Sequence, residues 1–217
     1  MTKSSVQVTY RTICDAAQIE RLEIMGGVAV DDSTVILLGP GTGFWAHFKA
    51  SPEMRDGVPH PVDRWSKRVI TDMARSLRGE ALFPFGGPPY VPFLRWAMDS
   101  RRTWQSPAGM LVHDTSGLMV SYRGALRFMG HVSLPPAPVA APCTSCESQP
   151  CMTACPVDAL SAERGYDVTA CHGFLDTEAG QDCLTQGCKA RRACPISQKF
   201  GRDPAQSAFH MRSFHPV

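Results

Sequence analysis

The chain has 217 residues and a formal net charge of +2, with 19% charged and 43% hydrophobic residues. This is the composition of a globular protein, and so small a net charge gives no general reason to expect a nucleic-acid partner. No apolar run approaches the ~18 residues of a membrane span, and the opening MTKSSVQVTY is not an apolar signal segment, so we expect a cytoplasmic protein without membrane contact.

Helices dominate the predicted structure of the first hundred residues. Residues 15–25 carry apolar side chains three positions apart, which predicts a helix ended by the two glycines that follow. Two short strands, 34–38 and 44–48, are expected on either side of the turn-forming GPGTG. The clearest helix is 62–77, and a shorter one is expected over 93–98.

A run of strands is predicted next. The segments 109–113 (GMLVH), 118–122 (LMVSY) and 125–131 (ALRFMGH) read as strands, and the first two flank a turn at 114–117 (DTSG). Helices followed by a late antiparallel run predict an α+β domain.

A proline-rich segment separates this domain from the rest of the chain. Residues 134–142, LPPAPVAAP, contain four prolines in nine residues, which cannot pair in a sheet and which stiffen the chain. We therefore predict a first domain over 1–134, a linker over 135–142 and a second domain over 143–217. A short helix is expected over 205–214.

Eight of the nine cysteines lie in the fifty-two residues from Cys143 to Cys194. Their pattern is C-x2-C-x4-C-x3-C-P, then the lone Cys171, then C-x4-C-x5-C-P. A [4Fe-4S] cluster takes about four thiolates, and in two-cluster ferredoxins the cysteine before proline serves the cluster of the other motif. The pattern therefore predicts a small bacterial-ferredoxin-like domain with two [4Fe-4S] clusters.

The same crossover rule assigns all eight cysteines. The three closely spaced thiols of the first motif can wrap one cubane, while the fourth, a helical turn further on, points away. The two sets are then Cys143, Cys146, Cys151 and Cys194, and Cys155, Cys171, Cys183 and Cys188. Cys14, which lies in the other predicted domain, is left outside both sets.

Three other interpretations of the cysteines compete with this one. Disulfides persist in oxidising compartments, and nothing in the sequence places the chain in one. Zinc sites made of four cysteines also use short spacings, although the Cys-Pro endings and four cysteines within thirteen residues favour clusters. Plain burial of apolar cysteines does not explain the spacing. Zinc is the strongest of these alternatives.

Charge is unevenly distributed over the last 77 residues. Residues 141–180 contain six acids and one base, whereas 181–217 contain six bases and two acids. A basic tail can dock a phosphate-bearing cofactor or an acidic redox partner, although most such charges form solvated faces.

The segment SPAGMLVHDTSGLMVSYRGAL, residues 106–126, resembles the cobalamin-binding branch of the nitroreductase-like fold. That branch includes epoxyqueuosine reductases, reductive dehalogenases and cobalamin-processing trafficking proteins. In the trafficking proteins this run is a strand ending in His, a Gly-containing turn, a second strand and then Arg-Gly. This chain matches these features with His113, Gly117, Arg123 and Gly124. LLGPGTGFWAHFKASPEM and HPVDRW also look like the trafficking proteins, and the order of the cysteines resembles the ferredoxin module of epoxyqueuosine reductases.

The resemblance implies a nitroreductase-like first domain that binds cobalamin, with FMN, the other ligand of this fold, as the alternative. The corrin ring would then be contacted by Gly109, Met110, Leu111, His113, Tyr122, Arg123 and Gly124. Core packing is the competing role for the apolar members, and a satisfied strand-end histidine is the competing role for His113. The acid of epoxyqueuosine reductases has no counterpart in FGGPPYVPFLRW, so that particular reaction is not implied.

Three functions are therefore open. One is an oxidoreductase, a cobalamin-dependent or cobalamin-processing reductase, whose two clusters pass electrons to the corrinoid. The second is a corrinoid carrier that uses its clusters to keep the ligand reduced. The third is an electron-transfer ferredoxin without an organic cofactor, or with FMN, that serves a redox protein partner.

Overall fold

The structure is a computed structural model that describes residues 8–216. The first seven residues, which bear on the expected lack of a signal segment, and Val217 lie outside the described range. The helices are α1 (Tyr10–Ile19), α2 (Phe44–Lys49), α3 (Pro52–Arg55), α4 (Pro61–Leu77), α5 (Phe93–Asp99), α6 (Val168–Leu175), α7 (Gln181–Gln186), α8 (Lys189–Ala193), α9 (Pro195–Phe200) and α10 (Pro204–Phe214). The strands are β1 (Leu22–Val30), β2 (Ser33–Pro40), β3 (Glu80–Leu82), β4 (Thr103–Gln105), β5 (Leu111–His113), β6 (Gly124–Met129), β7 (Leu160–Ser161) and β8 (Gly165–Tyr166).

The chain divides into two units, each made of two separate stretches. The first unit contains the chain up to Arg101 together with Ser121–Ala137, and the second contains Arg102–Val120 and everything from Pro138 onward. The sequence predicts a boundary only near residue 135, so the placement of 102–120 differs from the prediction. The reason is packing, because Val112 and Leu118 join the apolar core of the second unit.

The first unit is α+β, as predicted, with helices packed around an antiparallel sheet. The strand order is β1-β2-β6-β3, and every neighbouring pair is antiparallel. Strand β2 is buried along its whole length, because β1 and β6 cover its two edges and α5 packs against Val35 and Leu37 on one face. The predicted strand 34–38 lies within β2, and most of the predicted strand 125–131 lies within β6.

Helix α4 confirms the predicted helix 62–77 and organises an aromatic core. Trp65 is 1% exposed, and its ring meets those of Phe44 and Phe48 edge to face at 5.2 and 6.1 Å. The prediction of a strand over 44–48 is wrong, because this segment forms α2. Its rings at positions 44, 45 and 48 lie on one helical face, which is buried.

The predicted helix 15–25 is also wrong in its position. Helix α1 ends at Ile19, Arg21 takes a left-handed conformation with φ of 55°, and β1 begins at Leu22. The face of α1 that is buried carries Ile13 and Ala17, whereas Ile19 is 72% exposed. The three-residue spacing that predicted one helix therefore runs across a helix, a turn and a strand.

Later elements match the prediction unevenly. The predicted helices 93–98 and 205–214 are confirmed by α5 and α10. The predicted strand 109–113 is reduced to β5, and the predicted strand 118–122 is wrong, because these residues form an irregular segment. The turn at 114–117 is present, with His113 and Gly117 exchanging backbone hydrogen bonds at 3.0 Å.

The second unit consists of short elements arranged around the cysteines. Strands β4 and β5 form a hairpin, β7 and β8 form another, and helices α6 to α10 follow in sequence. Three 3-10 turns, at Pro142–Ser145, Pro150–Met152 and Glu178–Gly180, complete it. With so little regular structure, its stability depends on the packing of the cysteine-bearing segments.

Candidate functional site

The eight cysteines from Cys143 to Cys194 all lie in the second unit, where short helices and turns hold them. All are free thiols in the structure, as is Cys14. Seven of them lie in or at the ends of the turns Pro142–Ser145 and Pro150–Met152 and of α6, α7 and α8, and Cys155 lies in the irregular segment after the second turn. Cys194 occupies the junction between α8 and α9, with an extended backbone at φ −63° and ψ 123°.

The first group of thiols contains Cys143, Cys146, Cys151 and Cys194. Burial raises the pKa of the Cys143 thiol, and the neighbouring Cys151, Cys194 and Cys146 raise it further. Burial likewise raises the pKa of Cys151, with added repulsion from Cys194 and Cys146. These four are the same cysteines that the crossover rule assigns to the first cluster.

The second group contains Cys155, Cys171, Cys183 and Cys188. Burial is the largest cause of the raised pKa of Cys171, and Cys188, Cys155 and Cys183 add to it. The pKa of Cys183 is raised by burial and by Cys188. The backbone N–H of Ala159 donates a hydrogen bond to the Cys155 sulfur at 3.4 Å. None of these interactions links a cysteine of one group to a cysteine of the other.

Two thiols of each group therefore disfavour ionisation where they stand, Cys143 and Cys151 in the first and Cys171 and Cys183 in the second. Thiolates are the forms that bind metal, and a bound cation favours the ionised thiol. A positively charged centre amid each group would offset both the burial and the mutual repulsion. Among residues 8–216, no three or more His, Cys, Asp or Glu side chains come together in a group that could hold a metal ion.

The first group lies against an apolar core that the β4–β5 hairpin helps to build. Cys151 and Cys194 are 7% and 8% exposed, and they pack with Ala108, Val112 and Leu118. Cys143 and Met110 border the same core. The segment 106–118 thus covers the first group within this unit.

Polar contacts fasten the same segment to the helices beside Cys194. The backbone N–H of Leu118 donates to Ser197 Oγ at 2.9 Å, and Arg191 Nη1 donates to the Leu118 carbonyl at 2.6 Å. Arg202 donates to the carbonyl of Met119. Sequence reasoning missed Ser197, Arg191 and Arg202 as structural residues, because their partners are more than seventy positions away.

Most cations of the basic tail, residues 181–217, bind partners within the second unit. Besides Arg191 and Arg202, which bind carbonyl groups, Arg192 and Lys189 both approach the carboxylate of Asp182. Four of the six tail cations therefore have internal partners, which leaves less of this charge for docking a phosphate group or an acidic protein.

Two cysteines of the second group lie in a small core of their own beside an aromatic residue, whereas Cys188 borders the core of Cys151 and Cys194. Cys171 and Cys183 pack with Leu175, Leu184 and Met211. Burial, and then a hydrogen bond with Cys171, raise the pKa of the Tyr166 phenol above its usual range. Tyr166 thus keeps its proton and presents it to the sulfur of Cys171. Nothing in the spacing of the cysteines pointed to this tyrosine.

A hydrogen-bonded histidine pair adjoins Cys171. The Nδ1 atoms of His172 and His215 are 2.8 Å apart, and His215 Nε2 lies 2.9 Å from Asp176 Oδ1. The ring of His172 meets that of Phe214 at 4.6 Å. This set connects α6 to the end of α10 and was not predicted.

The residues expected to contact a corrinoid are divided between the two units. Gly109, Met110, Leu111 and His113 belong to the second, and Tyr122, Arg123 and Gly124 belong to the first. His113 is fully buried, and its Nδ1 accepts hydrogen bonds from the N–H groups of Thr115 and Ser116 at 3.2 and 3.3 Å. In this arrangement the imidazole shapes the 114–117 turn.

The first-unit candidates take part in packing and an ion pair. Arg123 Nη1 lies 3.2 Å from Asp63 Oδ1, and burial lowers the pKa of this guanidinium while Asp63 opposes the shift. Tyr122 packs on the core that contains Met25 and Val35. A Cβ at Gly124 would come within 2.6 Å of Ile70, so the packing of α4 on β6 requires glycine there.

No protein-family model matches the chain, and no match to it was found among curated proteins or solved structures. Among residues 8–216, no helix is both long enough and apolar enough to cross a membrane.

Proposed function

We propose that this chain is an iron–sulfur redox protein that holds two [4Fe-4S] clusters in its second unit and passes electrons to a cobalamin. The observation that carries the proposal is the division of eight thiols into two groups of four with no shared member. Clusters of this kind carry one electron each, at potentials that span about −700 to +450 mV depending on charge, hydrogen bonding and exposure.

The residues present fit such clusters. Each group supplies four sulfur ligands, a partly buried setting and repulsion that a cationic core would offset. Cys194 and Cys155 interlock the two motifs, because each stands at the end of one motif and in the thiol group of the other. This is the ligand exchange of a two-cluster ferredoxin.

The choice of a corrinoid as acceptor rests on the resemblance of residues 106–126 and on where part of that segment packs. Val112 and Leu118 share a core with Cys151 and Cys194, so a ligand held at this segment would lie on the side of the first group. Backbone amides and the segment's apolar side chains would hold the ligand. His113 would hold the turn in shape and would not itself be a cobalt ligand.

Two measurements test the proposal. Anaerobically purified protein should contain about eight iron and eight sulfide per chain, and zinc in their place would refute the clusters. Titration with cobalamin should then give the absorbance shift of the form that lacks its nucleotide base, and FMN should give no saturable change. If neither ligand binds while iron is present, the clusters serve a protein partner instead.

Tyr166→Phe is expected to lower the reduction potential of the second cluster. The phenol donates to the Cys171 sulfur, and such hydrogen bonds favour the reduced, more negative state. Its loss should shift the midpoint by on the order of tens of millivolts, measured by redox titration followed by electron paramagnetic resonance. The control is Tyr90→Phe, at a 71% exposed tyrosine of the first unit. An unchanged midpoint would contradict the hydrogen bond.

A further inference from the structure

An exposed apolar surface with an acidic rim lies beside the second group of cysteines. We call it the input face and define it by Glu163, Tyr166, Asp167, Val168 and Phe214. Its three large apolar members are 45%, 44% and 37% exposed. Exposed apolar side chains grouped within a polar rim are typical of interaction sites.

The input face is joined directly to Cys171. Val168 precedes Cys171 by three positions on α6, so the two side chains are neighbours on one helical face. The rings of Tyr166 and Phe214 stack at 6.0 Å with an angle of 18° between them. Phe214 in turn contacts the ring of His172, the residue after Cys171.

Negative charge surrounds this apolar centre. Glu163 and Asp167 are exposed next to it, and Asp176, whose side chain is 70% exposed, contacts His215 at the end of α10. Arg164, next to Glu163 in sequence, is paired with Asp158 at 2.7 Å. Arg191, the cation that acts on the Tyr166 phenol, donates a hydrogen bond to the carbonyl of Leu118. Arg212 stands two positions before Phe214 on α10, which places it on the opposite side of that helix.

We infer that the input face is the docking site of a one-electron donor protein whose contact surface is apolar at its centre and lined with lysine or arginine at its rim. This inference rests on the proposed function, because it assigns the second group of thiols to a cluster. The donor loses one electron and the oxidised [4Fe-4S]2+ centre gains it, becoming [4Fe-4S]1+, with no bond made or broken. The first group, packed under the 106–118 segment, is then the output side.

Complementary charge is the reason for choosing a cationic partner. Opposite potentials on two proteins raise the rate of encounter and fix their orientation, and the effect weakens as salt rises. A donor with an acidic surface would be repelled by Glu163, Asp167 and Asp176. The aromatic centre supplies the desolvated contact area that charge alone does not provide.

The test uses the full chain with its clusters and a lysine-rich c-type cytochrome as the cationic probe. Binding of ferric cytochrome to the oxidised protein is measured by calorimetry, where no electron moves. Cytochrome reduction by the reduced protein is measured by stopped flow. Glu163→Lys and Val168→Lys should each weaken binding and slow reduction by about tenfold at low salt, and added salt should reduce the difference.

The matched control is Glu147→Lys, at an exposed acid that follows Cys146 of the first group. Glu147→Lys makes the same charge change as Glu163→Lys and should leave the binding affinity and the rate of cytochrome reduction unaltered. A loss in Glu147→Lys with none in the input-face variants would overturn the inference, and so would equal behaviour of all three. Iron content is measured for every variant; a wild-type chain without iron would refute the proposed function and this inference with it. Normal iron with no preference among the variants would refute the inference alone.

Discussion

Replacing Cys194 with alanine should remove at least half of the iron and destabilise the whole second unit. Cys194 is 8% exposed, lies in the first group of thiols and is the last cysteine of the second motif. Ligand binding and folding are coupled where a small domain has little other core. The count should fall from about eight iron per chain to about four or fewer.

The loss of iron and stability in Cys194→Ala would come from the missing sulfur and not from a change in the backbone, because alanine adopts the same extended conformation that joins α8 to α9. Cys14→Ala is the matched control: the same substitution at a partly buried thiol of the first unit should leave iron and melting temperature unchanged. Thermal unfolding followed by cluster absorbance gives both quantities. A Cys194→Ala protein that loses one cluster but melts normally would show that the motifs are not interlocked.

Gly117→Ala is expected to loosen the β4–β5 hairpin from the rest of the second unit. Gly117 has φ of +58°, and a Cβ there would lie 2.5 Å from the backbone nitrogen of Ser197. Left-handed strain and the forced shift of α9 together should cost about 2–5 kcal/mol. Because Ser197 lies in the first turn of α9, directly after Cys194, we expect lower cluster retention as well.

Gly165→Ala measures the cost of left-handed backbone strain alone, without the steric clash that Gly117→Ala adds. Gly165 also has positive φ, +79°, but nothing lies within 4 Å of its Cβ position. Its alanine variant should therefore lose only about 1 kcal/mol. The midpoints of thermal unfolding, followed by cluster absorbance under anaerobic conditions, compare the two. Equal losses of stability in the two variants would mean that residue 117 does not contact α9 as closely as the structure shows.

Sequence patterns predicted those elements whose signals are local. Helix α4 has a periodic apolar face opened by proline, and the two proposed ligand sets follow from the spacing of cysteines around two Cys-Pro endings. The FWAHF segment was predicted as a strand because aromatic residues favour strands, yet packing against Trp65 makes it a helix. The prediction of a strand over 118–122 is wrong for a similar reason. Ser197 and Arg191 take up the backbone hydrogen bonds of Leu118 that a neighbouring strand would otherwise use.

Prediction of the candidate site is limited in the same way to features that have a local signal in the sequence. Motif spacing can count thiols, but it gave no sign of Tyr166 or of the His172–His215 pair, since both are brought to Cys171 by tertiary packing. Likewise, the HDTSG segment reads as part of the first domain by position. The apolar contacts of Val112 and Leu118, with the hydrogen bonds of Leu118 to Ser197 and Arg191, place it with the cysteines.

The tethering of Leu118 has a consequence for how the protein is made. The groups that hold its backbone, on Ser197 and Arg191, are synthesised 79 and 73 residues later. Until they leave the ribosome, the hairpin has no core to join, and closing so long a loop carries an entropic cost that slows the step. The first unit meanwhile has its β6 strand and can assemble. Docking of the hairpin, and insertion of the proposed clusters, therefore wait until Ser197 has left the ribosome, and a nascent chain stalled before Ser197 would expose Val112 and Leu118 to aggregation.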